Sequence, residues 1–173
     1  RKTECMILAN LLKAGEHVSI YEPPKTGKMS VIHQTFYNLK NEGYHFMVAF
    51  VDMLNVRTLS DFLLKFGTSV MKSVASTPDD FARIVSTHLD DTHFVFDRVR
   101  FMTCGEVVSL NWEPDRNDIS KMMELPVKLA NEKALPYNDL YYKDENGNFW
   151  AVCVFIEGSV TYEKADTPAL AFK

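Results

Sequence analysis

Cysteine is scarce: three residues in 173, at Cys5, Cys104 and Cys153. They lie far apart and form no Cys-x-x-Cys pair, which excludes a disulfide scaffold and a closely spaced zinc site. No apolar run approaches the ~20 residues of a membrane span, and no signal-peptide pattern is present. The expectation is a cytoplasmic chain with no membrane partner. Runs of basic residues are also missing, and the formal net charge is -4. No nucleic-acid partner is indicated. Neither a Gly-x-Ser-x-Gly elbow nor a Cys–His arrangement points to acyl transfer. None of the histidines His17, His33, His45, His88 and His93 pairs with another at a metal spacing, so structural or surface roles are expected.

What is there is ordinary globular material. Hydrophobic residues make up 46% and charged residues 24%, and 173 residues suffice for one domain with a core, or one domain plus a small appendage. Apolar spacing predicts a helix over 3–14, ended by Gly15, and a short strand from His17 to Tyr21. A second helix opens at Lys28 and ends near Asn41. Tyr44 to Val51 is a nearly continuous apolar run, as expected of a strand buried on both faces. Thr58 or Ser60 caps the next helix. Thr77-Pro78 starts another, which runs to about His88. Thr92–Phe96 and Val107–Trp112 are extended, and Asp118–Lys133 is helical, with Pro126 inside it as a candidate kink. Leu140–Lys143, a turn at Asn146-Gly147, and Phe149–Glu157 read as a β-hairpin. Thr167-Pro168 reads as a helix start close to Lys173, so the chain is expected to be a piece of a longer reading frame.

The segment from Ser19 to Ser30 has the layout of a phosphate-binding loop. In such a loop a glycine-containing turn wraps backbone N–H groups around phosphates, and the following helix points its positive end at the same anion. A lysine reaches the outer phosphates, and the next Ser or Thr holds magnesium. Here Gly27-Lys28 opens the helix, and the candidate phosphate-binding residues are Pro24, Lys25, Thr26, Gly27, Lys28, Met29 and Ser30. Glu22 stands where the first glycine belongs, and Met29 stands where the magnesium-binding hydroxyl belongs. Ser30 is one residue late, a rotation of about 100° along a helix.

Several blocks resemble an archaeal- and Bacteroides-type AAA-like P-loop ATPase. They are Val18-Ser19-Ile20-Tyr21 with Pro24 to Ser30, then Phe50-Val51-Asp52-Met53 with Ser60 to Phe66, then Glu124-Leu125-Pro126-Val127-Lys128-Leu129-Ala130. The resemblance covers residues 1–134 and implies an ATP-binding ATPase. Its family pattern continues with a strand ending in Asp-Glu, which organises magnesium and activates water. No such strand follows Ala134, so the acids that hydrolysis needs are not found. Residues 135–173 form a separate appendage, and a join near Leu135 is expected. From Tyr141 to Gly158 it is similar to the N-lobe hairpin of aminoglycoside/choline-kinase-like phosphotransferases, without that family's nucleotide lysine or catalytic loop.

Other acids that end apolar stretches are Asp52, Glu157 and Asp97. Asp52 and Ser30 are the candidate magnesium ligands, with a loop or capping role as the plainer reading of Asp52. The expected fold is α/β: an incomplete P-loop NTPase-type three-layer core with a mainly parallel sheet, plus a C-terminal β-hairpin. The leading functional expectation is an ATP-binding AAA-like fragment with a degenerate phosphate loop. The alternatives are a catalytically inactive protein-interaction module with a protein partner, and a fragment of a small-molecule phosphotransferase.

Overall fold

The computed structural model describes residues 1–16, 18–21, 23, 25–44, 46–132, 141–143 and 149–155. The elements in chain order are α1 (Lys2–Lys13), α2 (Lys28–Asn41), β1 (Val48–Asp52), α3 (Leu59–Val74), α4 (Pro78–His88), β2 (Phe94–Phe96), α5 (Arg98–Cys104), β3 (Val108–Leu110), α6 (Arg116–Glu132), β4 (Tyr141–Lys143) and β5 (Phe149–Phe155). They divide into two compact units. Among the described residues, one comprises 1–46 with 141–143 and 149–151, and the other 47–132 with 152–155.

In the first unit α1 packs on α2. Cys5, Leu8 and Val31 are buried together, with Leu12, Val18 and Ile32 against them. Thr35 is fully buried, and its hydroxyl donates to the Val31 carbonyl at 2.8 Å, so its polar atom is satisfied inside the helix pair. The Glu16 N–H reaches the Leu11 carbonyl across a left-handed Gly15, which closes α1 where a side chain would strain the backbone. Tyr44 closes α2 in the same way, donating to Leu39. β4 and β5 are antiparallel, with Tyr142 opposite Trp150. The Asn146-Gly147 turn lies outside the described residues, as does Thr167-Pro168.

In the second unit α3 packs against β1, β3 and α6. Leu63, Val70, Met71, Met122, Leu125 and Val107 are essentially inaccessible to solvent. Burying side chains of this size stabilises by roughly 1.5–3 kcal/mol each. Two helix starts follow from short polar signals. Thr58 accepts from the Asp61 N–H while the Asp61 carboxylate accepts from the Thr58 N–H, a reciprocal capping box. Thr77 accepts from the Asp80 N–H, with Pro78 in the first turn. Phe81, Phe96 and Phe101 form an aromatic triangle, with ring centroids 5.2 to 6.3 Å apart. β2 and β3 pair antiparallel, Phe94 opposite Leu110 and Phe96 opposite Val108.

The expected three-layer P-loop core with a mainly parallel sheet is not what the chain forms. Among the described residues there are six helices and two small sheets, a three-stranded one in the order β1-β5-β4 and the two-stranded β2-β3. Both pairs with a described register, β2–β3 and β4–β5, are antiparallel. The strand expected before the phosphate loop is absent among the described residues, because Val18–Tyr21 has no regular structure. The reason lies in its side chains. Val18 packs on the α1–α2 core, but Ile20 and Tyr21 are exposed. A central parallel strand needs apolar side chains buried on both faces, and in this segment only Val18 is even partly buried among the apolar residues. The strand expected over 44–51 is also shorter, since Tyr44 is spent closing α2 and Phe46 packs on Phe36.

Candidate functional site

The sequence-predicted loop lies in the first unit. Lys25 and Gly27 both take left-handed backbone angles, φ 64° and 87°. The Thr26 hydroxyl donates to the Pro23 carbonyl at 2.8 Å and holds the turn between them. Glu22 and Pro24 lie outside the described residues. Gly27 is the residue before the first turn of α2, and its left-handed φ is one a side chain would strain.

Because Gly27 has no side chain, nothing from it caps the first N–H groups of α2. The first turn also carries no acid. A helix start presents the positive end of the helix dipole. Ser30 lies at the same end: a Cβ placed on Gly27 would sit 4.0 Å from its Oγ. Met29, the residue expected to replace a magnesium-binding hydroxyl, is half-buried.

Lys28 lines a cleft of about 230 Å³ in this unit. Ile7, Leu11, Val18 and Ile20 supply apolar lining, and Glu4 and Arg1 line it as well. The cleft thus joins an apolar slot to the cationic start of α2. Such an arrangement suits a ligand with a flat apolar part and an anionic part.

The other candidate acids have local structural uses. Asp52, exposed at the end of β1, accepts from the Leu54 N–H at 2.8 Å and shapes the following turn. Lys65 donates to the Asp52 and Leu54 carbonyls in that turn. Asp97 caps α5 by accepting from the Val99 and Arg100 N–H groups. Glu157 lies outside the described residues.

One polar cluster went unrecognised in the sequence, in the second unit where α6 begins. Asp118 is completely buried, and both its oxygens are used. Oδ1 accepts from the His93 N–H at 2.8 Å, and Oδ2 accepts from His93 Nδ1 and from the Asp115 N–H, each at 2.8 Å. Asp115 Oδ1 returns the contact by accepting from the Asp118 N–H at 2.9 Å. This is a capping box that also ties the helix to the residue leading into β2. His93, Asp115 and Asp118 each offer an atom within 4.8 Å of the others, a spacing a metal could use. The N–H donors already placed on Asp118 make it a helix cap. Burial pushes the Asp118 carboxyl up, but the His93 and Asp115 N–H donors outweigh it and hold the group below the usual carboxylate value. His93 is raised, first by its bond to Asp118 and then by the charges of Asp118 and Asp115. The legible signal was Asp-x-x-Asp just before an apolar-periodic run.

No family model, curated protein or solved structure matches the chain. Among the described residues, no helix is long and apolar enough to cross a membrane.

Proposed function

We propose that this chain binds ATP, with the phosphates at the Lys25–Gly27 turn and the first turn of α2, and the base in the adjoining apolar cleft. The observation that carries this reading is the start of α2: a left-handed glycine, no side-chain cap, no acid in the first turn, and Lys28 lining the cleft. Lys28 supplies the charge, the backbone from Lys25 to Met29 supplies N–H donors, and Ser30 supplies the nearest hydroxyl for phosphate or a magnesium ion. The reading stops at binding, because no water-activating acid is assigned.

The test is a titration of a fluorescent ATP analogue with and without magnesium, against Lys28→Ala. A charge-assisted contact to phosphate contributes roughly 1.5–3 kcal/mol, so the variant should bind about tenfold to a hundredfold more weakly. Failure of the wild type to bind, or equal affinity in the variant, overturns the proposal and leaves the protein-interaction alternative.

A further inference from the structure

The residues between α4 and β2 run beside α6 and are tied to it at both ends through an imidazole. At one end His88 Nε2 lies 2.9 Å from Glu132 Oε1. At the other, His93 Nδ1 lies 2.8 Å from Asp118 Oδ2. Between them Asp91 pairs with Lys121 at 2.9 Å, and its carbonyl accepts from the Asn117 side chain at 2.9 Å. We propose that this connector and α6 form a proton-sensitive latch at His93, tight when its imidazole is protonated and slack when it is neutral.

The groups that face the imidazoles come from both partners. Asp118 and Asp115 face His93 from the start of α6, and Glu132 faces His88 from its end. On the connector, Asp91 is engaged by Lys121, which also feels Asp90 and Glu124. The Asp91–Lys121 pair keeps its charges through neutrality: Asp91 is held down by its bond to Lys121, and Lys121 is held up by its bond to Asp91. Imidazole is the side chain that changes charge there.

The sign for His93 follows from its raised value. Its ion-pair contribution is complete below 6.5, the ordinary imidazole value, and is lost as pH rises through the higher folded-state value. A neutral His93 still donates from Nδ1, and its backbone N–H still holds Asp118, so the latch loosens without letting go. The partly exposed His93–Asp118 bridge is expected to change local opening by about two- to fivefold.

Hydrogen exchange of the full chain, corrected for intrinsic rates, tests this from about pH 6 to about pH 8.5. In the wild type, opening of α6 should increase with pH by that factor, while α3 changes less. In His93→Gln the α6 response should flatten. Parallel pH dependence in the two proteins overturns the proposal, as does equal loosening of α3 and α6. Should the variant not fold, an NMR titration of wild-type His93 decides: a midpoint at or below the unfolded value overturns the latch, and a higher one supports it.

Discussion

Replacing Asp118 with alanine should destabilise the chain far more than a surface substitution would. The side chain is fully buried and accepts three hydrogen bonds, from the His93 N–H, the His93 ring and the Asp115 N–H. Loss of the capping box costs about 1 kcal/mol. The His93 amide, part-buried, is left without its acceptor, at a cost of roughly 1–3 kcal/mol. The His93 ring and the exposed Asp115 backbone can turn to water and add little. The sum is about 3 kcal/mol. In urea, with a slope near 2 kcal/mol per molar, the midpoint should fall by about 1.5 M at an unchanged slope.

The effect of pH distinguishes the ionised acceptor from simple packing. Asp118 is held below 3.8, the usual value for the group. Its contribution is therefore full above that value and is lost as pH falls through the lower folded-state value. Wild type and Asp118→Ala should differ most near neutrality and converge in acid. Asp118→Asn, which keeps one acceptor oxygen, should fall between them. A difference below about 0.5 kcal/mol at neutral pH would refute the reasoning, and so would a gap that stays constant into acid.

Thr58→Ala should cost about 1 kcal/mol by chemical denaturation, because it removes the hydroxyl that accepts from Asp61 at the start of α3; Thr58→Ser should recover most of it. Gly67→Ala places a Cβ 2.7 Å from Met122 Sδ and 3.2 Å from Val108 Cγ2, where α3 crosses α6. Overpacking of about 1–3 kcal/mol outweighs a helix-propensity gain of about 1 kcal/mol, so net destabilisation is expected. In a Met122→Ala background, which vacates that space, the same substitution should be neutral or stabilising, and a double-mutant cycle measures the coupling.

Helix positions were largely legible because their signals are local. Lys28, Thr58 and Thr77-Pro78 open helices where cap chemistry and apolar period agree, and Gly15 closes one. The β4–β5 pairing was legible from its apolar run and the hairpin turn residues. Helix α5 was missed. None of its residues is buried, so Arg98 to Cys104 carries no apolar stripe, and only Asp97 before it and Gly105 after it mark its ends. The start of α6 was read at Asp118, although Asp115-x-x-Asp118 is a complete box three residues earlier.

The phosphate loop shows where local reading stops. Gly27-Lys28 specifies a left-handed residue and a helix start within four residues, and both are present. A parallel sheet is a different kind of claim. It requires partners far apart in sequence, and two-sided burial is the only trace it leaves in any one strand. Val18–Tyr21 lacks that trace: Val18 is turned toward α1 and α2, and Tyr21 is 65% exposed. The same side chains that deny the segment a place in a sheet put Val18 and Ile20 in the wall of the cleft beside Lys28. The phosphate binding proposed at α2 therefore needs no P-loop sheet behind it. That proposed site would be built from Gly27, Lys28 and the α1–α2 pair, and those are the positions where substitution should be felt.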